Sequence, residues 1–126
     1  MTPGQYILVV DDDDDFREAL SEVLTDAGYP VHRAENGEVA LQRVADEQPG
    51  IVLLDLKMPV LDGWGVMERM RSDPKSAAVP ILILSAYGFE WEAELLGAQG
   101  YIPKSVGMEE ILERVRKAAG PPPMRH

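Results

Sequence analysis

Ile7-Leu8-Val9-Val10 runs straight into Asp11-Asp12-Asp13-Asp14-Asp15, and Ile51-Val52-Leu53-Leu54 ends in the same way on Asp55. A short, unbroken run of aliphatic and β-branched residues, with no polar alternation, reads as a strand buried on both faces. That is the mark of a parallel sheet covered by helices. In such sheets the chemistry gathers outside the carboxyl ends of the strands. Acids delivered to that edge from two strands converge, and converging carboxylates repel unless a proton or a cation is shared among them. Hard oxygen ligands of this kind favour a divalent ion such as Mg2+. An acidic metal pocket is therefore expected, with Asp55 as its most informative member.

Outward from these two runs, strand and helix patterns alternate. Phe16, Ala19, Leu20, Val23, Leu24 and Ala27 fall on one face of a helix, with aspartates at its positive end and Gly28 placed to cap it. Tyr29 to Ala34 is a weaker strand, pushed by Pro30 toward an edge position or a late start. Asn36-Gly37 opens a second helix through Val39, Ala40 and Val44, which stops before Pro49-Gly50. After the strand at Ile51 to Leu54, the loop Met58-Pro59-Val60-Leu61-Asp62-Gly63 leads to a helix capped at Asp62-Gly63. Trp64, Met67 and Met70 are expected to face inward there, and Ser72-Asp73-Pro74 ends it. Pro80 to Leu84 reads as a fourth buried strand, followed by a short helix near Glu90 to Leu96 and a brief strand at Tyr101-Ile102. A last helix carries Met108, Ile111, Leu112 and Val115 on one face, with Glu109 and Glu110 early and Arg114, Arg116 and Lys117 late, as the helix dipole favours. It stops at Gly120. Five βα units make an α/β, doubly wound, five-stranded parallel sheet with helices on both faces. Residues 1–120 form one domain, and 121–126 a proline-rich tail.

Bulk properties exclude several classes of function. The chain has 126 residues, with 12 Lys and Arg against 22 Asp and Glu, a net charge of -10. Such a balance argues against a direct nucleic-acid footprint. Cysteine is absent, so there is no disulfide framework and no thiolate metal site. The N-terminus has no basic leader, and no apolar stretch is long enough for a membrane span, so a soluble cytoplasmic protein is the default expectation.

The acid run admits competing readings. Asp11, Asp13 and Asp15 have the spacing of a calcium loop, but Phe16 stands where that loop needs glycine. Asp11 and Asp13 also echo the Asp-x-Asp of aspartyl-phosphate phosphatases, with Asp15 where that motif has Thr or Val. Asp14 and Asp15 read as helix-capping and solvated surface charges. Asp11 and Asp12, directly at a strand end, read as functional.

Taken together, VVDD at 9–12, LLDLKMPVLDG at 53–63, LSA at 84–86 and GYIPK at 100–104 resemble the receiver domain of bacterial two-component response regulators over nearly the whole chain. The resemblance implies a flavodoxin-like fold and a phosphorylation-dependent signalling switch. In that reading Asp55 is the phospho-acceptor. Mg2+ is held by Asp12, Asp55 and the backbone carbonyl of Lys57, with Asp11 acting largely through water. Ser85 and Lys104 touch the phosphoryl group, and Tyr101 is the aromatic that turns with Ser85. The donor is a sensor histidine kinase or a histidine phosphotransfer protein. Output passes to a downstream protein through the face of the fourth helix, fifth strand and last helix, a face also compatible with a homodimer. The chain is then not an enzyme in the ordinary sense, although it takes part in its own phosphorylation and autodephosphorylation. A hydrolase using Asp11 as nucleophile, and a receiver-like interaction module that is never phosphorylated, remain open as alternatives.

Physical chemistry supports these roles independently. A carboxylate attacks phosphorus well when charge on the transferring group is neutralised and the acceptor is held in line. The added negative charge at Asp55 can then draw the Ser85 hydroxyl and bias a two-state element. Taken alone, Lys104 reads as a solvated surface charge and Tyr101 as a half-buried packing residue. His32 and His126 have no clustering that suggests a role.

Two departures from the family pattern carry expectations. Ser105 and Val106 follow Lys104 where the family has proline and an aromatic, and a non-proline cis bond costs about 2.5 to 4 kcal/mol. A trans Lys104–Ser105 bond is therefore expected, with a rearranged loop that holds Lys104 farther from the pocket. The segment from Ser85 to Tyr101 is also short by about three residues, close to one helical turn. That predicts a fourth helix of no more than about two turns, with Trp91 partly exposed on the partner-binding face.

Overall fold

In the computed structural model, residues 1–86 and 97–123 are described. The strands β1 (Ile7–Val10), β2 (Val31–Ala34), β3 (Ile51–Asp55), β4 (Ile81–Ser85) and β5 (Gly100–Pro103) form one parallel sheet in the order β2-β1-β3-β4-β5. Between them run α1 (Asp14–Asp26), α2 (Gly37–Asp46) and α3 (Gly63–Ser72), and a C-terminal helix (Met108–Ala119) closes the chain. The strand order reverses between β1 and β3, and a crevice at such a switch point is where open α/β sheets bind ligands.

The unbroken apolar runs are explained by two separate cores. On one face Leu8, Val10, Val52, Leu54, Ile81 and Ile83 pack against Ala40 of α2 and Val66, Met67 and Met70 of α3. On the other, Ile7, Val9, Ile51, Leu53, Leu82 and Leu84 meet Leu20 and Leu24 of α1 and Ile111 and Val115 of the C-terminal helix. Successive strand residues point to opposite faces, so burial on both sides demands apolar residues at every position. Truncating one of these to alanine costs about 2 to 5 kcal/mol.

The starts of α1, α2 and α3 are fixed by side-chain caps. Asp13 accepts the N–H of Phe16 at 3.1 Å, Asn36 that of Val39 at 2.9 Å, and Asp62 that of Gly65 at 2.9 Å, each contributing about 1 kcal/mol. The cap of α1 is thus Asp13, one residue before the expected pair. Asp14 instead pairs with Arg17 at 2.7 Å. Gly28, at φ +102°, takes the left-handed position after α1, where Tyr29 donates back to the Leu24 carbonyl. Pro30 has both of its expected effects: β2 begins only at Val31 and lies at the sheet edge. Trp64 is half-buried and packs against the first core, whereas Met67 and Met70 are fully inside it.

The start of the proline run is tied to the body. The Met1 ammonium donates to the carbonyls of Ala119 and Pro121, each at 2.9 Å, and the Tyr29 hydroxyl donates to Gly120 O at 2.5 Å. The expected fourth helix, Trp91 and the last three residues lie outside the described residues. Among the described residues no helix is long and apolar enough to cross a membrane.

Candidate functional site

Because all five strands run the same way, their carboxyl ends share one edge. The register sets Val10 beside Leu54, Asp55 beside Leu84, and Ser85 beside Pro103. Asp11 and Asp12 follow β1, Asp55 and Ser85 are the last residues of β3 and β4, and Lys104 follows β5 at the head of a 3-10 turn, Lys104–Val106. Oxygens of Asp11, Asp12 and Asp55 all lie within 4.8 Å of one another.

Asp11 is wholly buried and Asp55 is 6% exposed, whereas Asp12 faces solvent. Asp11 Oδ1 accepts the Asp13 N–H at 3.0 Å, and Asp11 Oδ2 meets the Lys104 ammonium at 2.7 Å but no well-directed hydrogen bond. The same ammonium stands 3.5 Å from Asp55 Oδ2, while Asp55 Oδ1 lies 3.4 Å from the Lys57 N–H. The closeness of Lys104 corrects the expectation of a withdrawn lysine. No peptide bond among the described residues is cis, so Lys104–Ser105 is trans, yet the side chain still spans the distance.

Electrostatics follow from this crowding. Burial, then the charge of Asp11, push the Asp55 carboxyl up to about 6 against the pull of Lys104. Burial pulls the Lys104 ammonium down, but its close contact with Asp11 and the charges of Asp11 and Asp55 outweigh that and leave it above the usual lysine range. With all three carboxylates ionised, one ammonium leaves two negative charges uncompensated. A divalent cation with oxygen preference matches both that deficit and the donor set. Beside Asp12, a shallow depression of about 410 Å³ is lined by Leu56, Lys57, Met58, Pro59, Asp62 and Trp64.

Ser85 is buried at the end of β4, and the Tyr101 hydroxyl reaches its carbonyl oxygen at 3.4 Å. Tyr101 is half-buried against the core. Three contributors escaped the sequence reading of the site. Phe16 places its ring centroid 4.7 Å from Lys104 Nζ, within cation–π range. Arg17 donates to the Asp11 carbonyl at 3.0 Å. Gly63 lets α3 start directly against β3, since a Cβ there would collide with the Asp55 carbonyl oxygen, and its N–H donates to Leu56 O at 2.9 Å. Only Gly63 carried a signal, the glycine after the Asp62 cap. His32, given no role, stacks on Tyr6 with centroids 4.2 Å apart.

Comparison with known proteins agrees with this geometry. The profile of the response regulator receiver domain family matches residues 7–116. The response regulator MprA of Mycolicibacterium vanbaalenii is 42% identical over 113 residues, which cover 87% of this chain and 48% of MprA, so the chain spans about half the length of that relative. Among solved structures, the chemotaxis protein CheY4 of Vibrio cholerae superposes with a TM-score of 0.84 at 28% identity, covering 90% of this chain and 97% of that one. The response regulator TrrA of Thermotoga maritima, solved in complex with Mg(2+)-BeF, is 36% identical with a TM-score of 0.78, covering 90% of this chain and 97% of its own. The family match spans the strand ends that bear every acid, hydroxyl and ammonium described above, and the chain belongs to the response regulator receiver domain family.

Proposed function

We propose that the chain is a phosphorylation-dependent signalling switch whose acceptor is Asp55. An Asp55 carboxylate oxygen attacks phosphorus, the P–N bond of a donor phosphohistidine breaks, and the departing imidazole takes up a proton. The donor is a sensor histidine kinase or a histidine phosphotransfer protein. With a small donor such as acetyl phosphate a P–O bond breaks instead and acetate leaves.

Lys104 supports this reading most. Its ammonium, 2.7 Å from Asp11 and 3.5 Å from Asp55, is placed to offset charge on a group joined to Asp55. Asp12, Asp55 and the Lys57 carbonyl, with Asp11 through water, would hold Mg2+, which supplies the positive charge that the carboxylates leave unmet. The hydroxyl of Ser85, buried at the end of the strand beside β3, would be drawn to the new phosphoryl oxygens. Tyr101, in contact with the Ser85 carbonyl, is the side chain positioned to respond. Asp11 is less suited to be a nucleophile, with no exposed surface, one oxygen on the Asp13 N–H and the other on Lys104. A cytoplasmic location and a downstream protein partner accompany this reading.

Incubation with Mg2+ and acetyl phosphate, followed by intact-mass measurement, tests it. One added phosphoryl group is expected for the native chain and none for Asp55→Asn; a variant labelled as fully as the native chain would remove Asp55 from the role.

A further inference from the structure

Lys104 is rooted loosely and held at its tip. Its backbone lies in the 3-10 turn Lys104–Val106, which has no buried residue and no side-chain cap and is followed at once by Gly107 at φ +88°. The four-carbon stem is flexible. The place of the ammonium is therefore set by the groups around it. Two are the carboxylates of Asp11, at 2.7 Å, and Asp55, at 3.5 Å. A third is the Phe16 ring, whose centroid lies 4.7 Å from Lys104 Nζ. Phe16 is itself well fixed. Asp13 caps its N–H at 3.1 Å in the first turn of α1, and its half-buried side chain packs against the core that α1 shares with the C-terminal helix.

These contacts fare differently during transfer. Asp55 gives a carboxylate oxygen to phosphorus. Asp11, Asp12 and Asp55 are also the acids that would face Mg2+, and carboxylate charge shared with a divalent cation attracts an ammonium less. The ring is neutral and is not consumed. It attracts the ammonium through the negative face of its π system. That attraction leaves the ammonium's three donors available to phosphoryl oxygens.

We propose that Phe16 is a positioning residue for Lys104, keeping the ammonium at the site while the carboxylates engage Mg2+ and the phosphoryl group. This rests on Asp55 being the acceptor. The ring takes no part in the chemistry and acts through Lys104 alone.

The test compares the native chain with Phe16→Leu and Phe16→Tyr. Leucine keeps an apolar contact and suits a helix, whereas tyrosine keeps the aromatic face. The affinity for beryllofluoride, a phosphoryl mimic, is measured in saturating Mg2+, and the Lys104 ε-methylene resonance is followed by NMR. Phe16→Leu should bind beryllofluoride roughly three- to tenfold more weakly, and Phe16→Tyr within about twofold of native. The native methylene should be shifted upfield by the ring and stay so in Mg2+; the shift should vanish in Phe16→Leu. Labelling by acetyl phosphate should slow to the same extent in Phe16→Leu, but the substitution should have no further effect on a Lys104→Met chain, because the two residues act through one contact. Equal affinity of the native chain and Phe16→Leu, or an equal loss in both variants, would overturn the proposal. So would a native upfield shift that Mg2+ abolishes, or a slowing that persists in the Lys104→Met chain, which would make Phe16 a packing residue only. A native chain that takes no label at Asp55 refutes the acceptor reading itself, an outcome distinct from a labelled chain indifferent to Phe16.

Discussion

Replacing Asp55 with asparagine should stabilise the fold at neutral pH in the absence of divalent cations and leave it unchanged in acid. The Asp55 carboxyl is pushed from 3.8 up to about 6, by burial first and by the charge of Asp11 second. A carboxyl raised in the folded state holds its proton longer there than in the unfolded chain. The favourable protonated contribution is complete below pH 3.8 and is lost as pH rises through 6. A gap of about two pH units corresponds to ~3 kcal/mol. Screening through the open mouth of the site can halve it, leaving about 1.5 to 3 kcal/mol. Asparagine keeps the volume and removes the charge. Urea denaturation in chelator at about pH 7.5 and about pH 4 reads the difference between the two chains directly. The variant should be more stable at the higher pH only. Addition of millimolar Mg2+ should narrow the gap by stabilising the native chain preferentially. A variant equal to or weaker than the native chain at pH 7.5, or a difference independent of pH, would refute the electrostatic reasoning.

Other consequences are equally open to measurement. Lys104→Met should slow labelling by acetyl phosphate by roughly two orders of magnitude, the effect of removing one electrostatic contact from a phosphoryl-transfer site, as followed by time-resolved intact mass. Gly63→Ala should destabilise the chain by more than about 1 kcal/mol and also slow labelling, because its Cβ would collide with the Asp55 carbonyl oxygen and displace the acceptor; denaturation and mass kinetics read the two effects. The Tyr6 hydroxyl, which donates to the Arg43 and Glu47 carbonyls, is pushed up to about 12 by burial and then by Glu47. Its contribution to stability is complete below pH 10 and fades as pH rises through 12, so native stability should fall across that range more steeply than that of Tyr6→Phe.

The sheet was legible because burial on both faces admits almost nothing but aliphatic residues, and Ile7–Val10, Ile51–Asp55 and Ile81–Ser85 are the runs so constrained. The strand ends then located the acids without any tertiary information. Distances set by through-space packing were not legible. The missing proline after Lys104 suggested a lysine held away from the pocket, but the lysine stem is long enough to reach Asp11 from a trans 3-10 turn, with Phe16 beside its ammonium. Trp64 followed the helical period of Met67 and Met70 and does pack against the core, but from the first turn of α3 it is only half-buried and also lines the depression beside Asp12, which the period alone could not show. In the acid run, spacing alone could not tell the cap from the candidate ligands; the helix begins one residue earlier than expected, which makes Asp13 the cap.

Borohydride reduction of the acetyl phosphate-treated chain, followed by peptide mapping, tests the central claim most directly, because it converts a phosphoaspartate to homoserine and so marks the residue that carried the group. The account predicts homoserine at position 55, dependent on Mg2+, with Asp11 and Asp12 intact. Homoserine at position 11, or at no position after treatment that labels a known receiver in parallel, would contradict it.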